Sequence, residues 1–104
     1  MAFMRIWSRQ ARDDLRDIVT YIAEDNCPAA EAFGFRLMAK VDLLSQFPEM
    51  GRTVPEANNQ TIREIILSPY RIVYEVHAEN SSVAILRVWH GARGEPEFSA
   101  GMEY

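Results

Sequence analysis

Six side chains in the second half of the chain are of types that could cleave a phosphodiester bond of RNA. Such a reaction needs cations that hold the phosphate and stabilise the charge that develops on it. It also needs a base that activates the 2′-hydroxyl and an acid that protonates the leaving oxygen. The candidate catalytic residues are Arg71, Glu75, Arg87 and His90, and the further candidate cations are Arg63 and Arg93.

The spacing of these residues does not predict a converging acid–base pair. On a strand, Arg71 and Glu75 project from the same face, whereas Arg87 and His90 lie on opposite faces unless the strand is interrupted before His90. The chain's one lysine, Lys40, lies in the other half of the sequence, which weakens the case for a nuclease. Histidines near strand ends are also more often structural or solvated than catalytic.

The arginines have two other interpretations, and the sequence leaves both open. The planar guanidinium is suited to fixed pairing with carboxylates or phosphates. The cations could pair with Glu64, Glu75 or Glu79, and as surface ion pairs they would contribute little to stability. Alternatively, they could dock an acidic segment of a partner protein or a target groove. The candidates for this second role are Arg63, Arg71, Arg87 and Arg93.

Composition narrows the class of protein. The 104 residues fit one domain, and a hydrophobic content of 48% supports a core at this size. The net charge of −4 argues against a protein whose main activity is binding nucleic acid, for which a basic surface is expected. No apolar run is long enough to cross a bilayer and no secretory signal is visible. We therefore expect a cytoplasmic protein that contacts neither membrane nor nucleic acid directly.

The sequence predicts neither a metal site nor a cofactor. Its one cysteine, Cys27, excludes an internal disulfide framework and a cysteine-based zinc site, and it fits a reducing compartment. No base that could activate the thiol is visible, so a nucleophilic role is not expected. The chain also has no ligand spacing typical of a metal and no phosphate-binding glycine loop.

The first half of the chain predicts a helical hairpin behind a short strand. Residues 3–8 contain several β-formers, and Ser8 is placed to cap a helix over residues 9–25 that has one apolar face. Residues 26–28 end this helix and begin a second one, which runs to about residue 47 and stops before a proline.

The second helix is apolar on two sides. Its first stripe holds Phe33, Leu37, Val41 and Leu44. Its second stripe holds Ala32, Phe35, Ala39 and Leu43. A helix that is apolar on two sides must be covered on two sides, and we favour the first helix and the sheet as the two covers, because short connections favour neighbouring antiparallel helices. The alternative cover for Phe35, Ala39 and Leu43 is a partner protein.

The second half predicts an antiparallel β-meander. Three strand-like runs occupy residues 61–67, 71–77 and 83–90, and the short turns between them favour antiparallel pairing. The last run is the most apolar, so we place it inside the sheet. The predicted fold class is therefore α+β, with the order β-α-α-β-β-β and one sheet.

Two further segments are predicted to be irregular. Residues 48–60 are interpreted as a surface loop, in which Gly51–Arg52 forms a turn because glycine supplies an unusual backbone angle. Residues 95–104 are polar and contain glycine and proline, so we expect them to fray.

The ordered set of residues along these elements resembles the ParE branch of the RelE/ParE toxin superfamily. In the first half, the matching residues are Trp7-Ser8, Ala11, Asp14-Leu15, Ile18, Tyr21-Ile22-Ala23, Asn26 and Pro28-Ala29-Ala30. In the second half, they are Leu44, Phe47-Pro48, Gly51-Arg52, Pro55-Glu56, Arg63-Glu64, Tyr70-Arg71-Ile72, Tyr74, Ile85-Leu86-Arg87-Val88 and His90-Gly91-Ala92-Arg93. The chain departs from the pattern at Cys27, which lengthens the usual Asn-Pro step, and in a glycine-poor turn between the first two strands of the meander.

The resemblance implies a toxin of a type II toxin–antitoxin pair. It implies a cognate, ParD-like antitoxin whose disordered C-terminal segment wraps around the toxin in a hetero-oligomer and neutralises it. ParE-type toxins are associated with poisoning of DNA gyrase, whereas their RelE relatives cleave mRNA on the ribosome. Together with the acidic pI and the missing acid–base pair, the resemblance favours a gyrase-binding toxin that catalyses no reaction itself. The alternatives are a RelE-type endoribonuclease and a non-toxic partner-binding module on the same fold.

Overall fold

The computed structural model describes residues 2–57, 59–94 and 96, which form a helical hairpin packed on one face of a five-stranded sheet. The helices are α1 (Arg9–Asp25) and α2 (Cys27–Gln46). The strands are β1 (Met4–Trp7), β2 (Arg52–Thr53), β3 (Ile62–Leu67), β4 (Tyr70–His77) and β5 (Ser82–His90). The order of elements confirms the predicted α+β class.

The strands lie in the order β1-β5-β4-β3-β2. Strands β3, β4 and β5 form the predicted antiparallel meander, and β1 pairs in parallel with β5, which makes the sheet mixed. The apolar β5 lies between β1 and β4, as its composition predicts. The region expected to be a loop differs from the prediction, because it contributes β2, a two-residue edge strand that pairs with Arg63 and Glu64.

Both helices begin where the sequence places their caps. The side-chain oxygen of Ser8 accepts the N–H of Ala11 at 3.0 Å, and its hydroxyl donates to the carbonyl of Leu86 in β5 at 2.8 Å. The side chain of Asn26 accepts the N–H of Ala29 at 3.0 Å. Such caps satisfy donors that lack partners within the helix. The Ser8 contacts also fix the start of α1 against β5.

The main core fills the space between the helices and the sheet. The first stripe of α2 is buried there, as predicted, against α1 and the inward-facing side chains of the sheet. These side chains are Ile65, Leu67, Ile72, Tyr74, Val83, Ile85 and Val88. A smaller buried cluster involves the outer face of the sheet, the face away from the helices, and contains Val54, Ile62, Val73, Ala84 and Leu86. The alternation of β4 is therefore as predicted.

The described part of the chain leaves the second stripe of α2 uncovered. Phe35 is 69% exposed and Leu43 is 41% exposed, and Ala32 and Ala39 are exposed as well. The favoured prediction, in which α1 and the sheet cover both stripes, is therefore wrong. The first stripe alone meets α1 and the sheet, and the second stripe leaves apolar surface that a partner can bury.

Glycine is required at position 51 because other atoms approach its backbone closely. The predicted unusual backbone angle is wrong, since φ of Gly51 is not positive. A Cβ at this position would lie 2.5 Å from the carbonyl oxygen of Glu64 and 2.6 Å from the hydroxyl of Tyr74. That hydroxyl accepts the Gly51 N–H at 2.9 Å and donates to the carbonyl of Pro48 at 2.8 Å. Burial raises the pKa of Tyr74, so the phenol remains a donor at neutral pH.

Alanine at two different glycines should therefore have opposite effects on the free energy of unfolding. Gly51→Ala forces a buried carbonyl and phenol apart and should lower it by about 1–3 kcal/mol. Gly34 lies in α2, where an added Cβ meets no atom within 4 Å, so Gly34→Ala should raise it by about 0.5–1 kcal/mol. Urea unfolding followed by circular dichroism measures both. Equal effects at the two sites would contradict the packing described for Gly51.

Candidate functional site

Arg71 is held against a fully buried carboxylate on the outer face of the sheet. One oxygen of Glu64 accepts from Nε of Arg71 at 2.5 Å, and the other accepts from Nε of Arg52 at 2.6 Å. The side chain of Arg71 is only 13% exposed, whereas that of Arg52 is 65% exposed. The register explains the cluster. Glu64 lies in β3, directly opposite Arg52 of β2 and diagonally opposite Arg71 of β4.

Arg87 is held by a carboxylate from α1. Strand β5 has one extra residue, Leu86, relative to β4, and this bulge lies next to Arg87. The guanidinium donates to Asp14 through Nε at 2.7 Å and through Nη2 at 2.8 Å, and the N–H of Val88 donates to the same carboxylate at 3.0 Å. Both charged side chains are largely buried, at 14% and 13% exposed. The pair is therefore bidentate and shielded from solvent.

Glu75 does not form a site with Arg71. The two residues share the outer face of β4, as predicted, but four residues of strand separate them by about 13 Å. The carboxylate of Glu75 is buried and lies 3.3 Å from the hydroxyl of Thr61 and 3.2 Å from Nε2 of His77. Arg71 instead takes Glu64 as its partner, which was one of the carboxylates expected from the sequence.

His90 lies at the other end of the meander from Glu75. It pairs with Tyr70, whose strand parity places both on the helix side, whereas Arg87 pairs with Val73 of the outer face. The register places the two residues on opposite faces of β5, as strand parity predicts, although the side chain of Arg87 turns to Asp14 of α1. Nδ1 of His90 accepts the N–H of Ala92 at 3.0 Å, so the neutral ring carries its proton on Nε2.

The two remaining arginine candidates, Arg63 and Arg93, have no buried counter-ion among the described residues. Arg63 donates to the carbonyl of Gly51 at 2.7 Å and lies 3.9 Å from the exposed carboxylate of Glu49. Arg93 stacks on the ring of Trp89, with its guanidinium carbon 4.2 Å from the ring centroid. In the described part of the chain, no carboxylate lies within ion-pair distance of Arg93. Of the four candidate arginines, Arg71 and Arg87 are therefore paired with buried carboxylates, whereas Arg63 and Arg93 remain near the surface.

Sequence reasoning missed Asp14 as the partner of Arg87. The two residues are 73 positions apart, so no local pattern joins them. Asp14 lies outside the apolar face of α1, and it matches the toxin pattern together with Arg87. That co-occurrence is the one signal in the sequence that could have suggested the pair.

Sequence reasoning also missed a groove on the hairpin, because an apolar helix face that borders a groove has the same residue pattern as one that is buried in a core. A cavity of about 570 Å³ opens between α1, α2 and the end of β1. Its lining residues are Trp7, Arg12, Leu15, Arg16, Val19 and Met38. We call it the hairpin groove. Met38 is 41% exposed and lies one turn from Phe35, so the groove continues into the second stripe of α2.

The described residues contain no group of three or more His, Cys, Asp or Glu side chains that could hold a metal ion. In the same residues, no helix is long and apolar enough to cross a membrane. Of the predicted frayed tail, residues 95–104, only Pro96 lies within the described residues, and it is buried.

Comparison with known proteins gives the family. A family model described as the ParE toxin of the type II toxin–antitoxin system parDE matches residues 5–94. This chain belongs to the ParE toxin family. The toxin is 34% identical over 95 residues to Toxin RelE1 of Caulobacter vibrioides, with 88% of this chain and 96% of the relative covered. It is 31% identical over 93 residues to Putative toxin Y4kP of Sinorhizobium fredii, with 88% and 91% covered.

Solved structures show the same fold for the ParE-family toxin. A chain of the chromosomal ParDE system of P. aeruginosa aligns with a TM-score of 0.68 at 22% identity, covering 86% of this chain and 96% of that one. A mutant of the E. coli toxin RelE in the free state aligns with a TM-score of 0.61 at 18% identity, covering 90% and 88%. The resemblance to the ParE branch of the RelE/ParE superfamily is confirmed, and the chain is a toxin of a type II system.

Proposed function

We propose that this toxin acts in the cytoplasm by binding and inhibiting DNA gyrase, without cleaving RNA. The observation that carries the proposal is that Arg71 and Arg87 are held by Glu64 and Asp14. An RNA phosphate would have to compete with a carboxylate that is itself buried. Breaking a buried pair leaves an uncompensated charge and costs about 3–5 kcal/mol.

The positions of the acid and base candidates support the same proposal. Glu75 lies opposite Ala84 in the middle of the sheet, whereas His90 lies opposite Tyr70 at its end and on the other face. A general acid and a general base must both reach atoms of one reacting group, at about 3 Å or through one water. These two side chains cannot meet that requirement around a single scissile bond.

We further propose that a ParD-like antitoxin covers the hairpin groove and the second stripe of α2. The groove is lined by the apolar side chains of Leu15, Val19 and Met38 and by the cations Arg12 and Arg16. This pattern fits an amphipathic segment with apolar anchors and acidic flanks. Two structurally similar toxins come from toxin–antitoxin pairs, the ParDE system of P. aeruginosa and the RelBE2 complex of Mycobacterium tuberculosis, the latter with a TM-score of 0.58 at 24% identity, covering 86% of this chain and 99% of that one.

The gyrase proposal predicts a direct effect of purified toxin on the enzyme. When toxin is added to gyrase and relaxed plasmid, ATP-dependent supercoiling should fall and cleaved gyrase–DNA complexes should accumulate, because bound toxin inhibits the enzyme. Toxin that is first mixed with an equimolar amount of antitoxin serves as the control and should leave gyrase active. Supercoiling and complex formation that stay unchanged at saturating toxin would exclude gyrase as the target.

The antitoxin proposal predicts that Phe35→Asp weakens the toxin–antitoxin complex at least about tenfold, because it places a charge in an apolar anchor site. The fold should be retained, since Phe35 is 69% exposed. Ile66→Asp is the matched control, because Ile66 is also an exposed apolar residue, at 52%, but lies on the outer face of the sheet, away from the helices. Calorimetric titration with the cognate antitoxin measures the affinities. Unfolding of the Phe35 variant would show that Phe35 belongs to the core, and unchanged affinity would place the antitoxin elsewhere.

A further inference from the structure

A second cavity, of about 490 Å³, lies across α1 from the hairpin groove. Its lining residues are Asp17, Ile18, Tyr21, Tyr70, His90 and Arg93. We call it the tyrosine pocket. At about 100° per residue, Arg12 and Val19 of the groove point to the opposite side of α1 from Asp17 and Tyr21 of the pocket. A partner lying in the groove therefore leaves the pocket accessible.

The tyrosine pocket is rich in hydrogen-bond donors, and the carboxylate on its described lining, that of Asp17, lies 3.7 Å from Nε of Arg16. The bond from the Ala92 N–H to Nδ1 of His90 leaves Nε2–H as the donor of the neutral ring. Among the described residues, the hydroxyls of Tyr21 and Tyr70 have no hydrogen-bond partner. Burial and the neighbouring Tyr21 raise the pKa of Tyr70, so its hydroxyl stays protonated at neutral pH. Arg93 adds a cation that has no carboxylate partner in the described part of the chain.

Ring contacts hold these donors in place before any ligand binds. The ring of Tyr70 lies between Phe33 of α2 and His90, with centroid distances of 5.1 Å to each. The guanidinium of Arg93 is stacked on Trp89, and a stacked guanidinium keeps its N–H groups available at its edge. Side chains that are already ordered lose little entropy on binding. The pocket is therefore preorganised for an acceptor group.

We infer that the tyrosine pocket binds the carboxylate of an acidic side chain on the toxin's protein target. The inference rests on the proposed function, in which the toxin acts by gripping a protein. One cation and several neutral donors match a single carboxylate, and exposed Tyr and Arg side chains are the types that dominate binding energy at protein interfaces.

A nucleic acid fits the tyrosine pocket less well than a protein. Nucleic-acid affinity comes largely from several phosphates neutralised at once, and the described lining of the pocket offers one cation, Arg93. The arginines that could hold neighbouring phosphates, Arg71 and Arg87, are bound to Glu64 and Asp14.

The direct test is an NMR titration of the toxin with a blocked aspartate, N-acetyl-aspartate-N-methylamide, and separately with a short single-stranded RNA. The blocked aspartate should shift the amide signal of Ala92 and the ring signals of Tyr70 and saturate. Arg93→Ala should weaken this binding at least about tenfold, and Arg36→Ala should not change it. No saturable shift, an unchanged affinity in Arg93→Ala, or tighter binding of the RNA at the same signals would each overturn the inference.

A second measurement separates this inference from the proposed function. Arg93→Ala toxin should inhibit gyrase at least about tenfold more weakly than wild type, yet bind the antitoxin equally well, because the groove and the pocket lie on opposite sides of α1. If Arg93→Ala does not fold, Tyr21→Ala replaces it, since Tyr21 is 71% exposed. Equal inhibition by variant and wild type overturns the pocket alone. Failure of wild-type toxin to inhibit gyrase overturns the proposed function, while the titration still decides whether the pocket binds a carboxylate.

Discussion

The ion pair between Asp14 and Arg87 joins the helical hairpin to the sheet, and much of the molecule depends on it. Asp14 accepts two hydrogen bonds from the guanidinium and one from the backbone of Val88. Together with the bond from Ser8 to Leu86, it fixes α1 across β5 at the bulge. Both surface cavities follow from that position, because α1 forms one wall of the hairpin groove and one wall of the tyrosine pocket.

Ion pairs of this kind also decide which arginines on the sheet can bind a phosphate. An arginine beside open solvent can receive a phosphate, whereas one that shares a buried carboxylate contributes to structure. In this toxin, Glu64 and Asp14 place Arg71 and Arg87 in the second group. The carboxylates next to the arginines are therefore as informative about function as the arginines themselves.

Local signals predicted the order of elements, because helix caps and residue periodicity act over a few positions. Ser8 and Asn26 begin the helices as expected, and the alternation of β4 is correct. Contacts between distant segments were not predictable in this way. The partner of Arg87 lies 73 residues away, and the role of Gly51 depends on a phenol and a carbonyl that reach it from β4 and β3.

The candidate site was predicted in part for the same reason. The sequence identified the arginines and the opposite faces of Arg87 and His90, since both depend on residue type and strand parity. It gave the second stripe of α2 the wrong cover, because an apolar face that awaits a partner has the same composition as one buried in a core. To distinguish an interface from a core face, one must know how much of the folded chain is available to cover that face.

The most direct measurement of the central claim is a double-mutant cycle between Asp14 and Arg87. Equilibrium unfolding of wild type, Asp14→Ala, Arg87→Ala and the double variant gives the coupling free energy of the pair. If Arg87 is committed to Asp14, the coupling should be at least about 2 kcal/mol, within the range measured for groups in direct contact. A coupling near zero would mean that Arg87 is free to hold a phosphate, and it would contradict the account of this toxin as a protein that acts by binding alone.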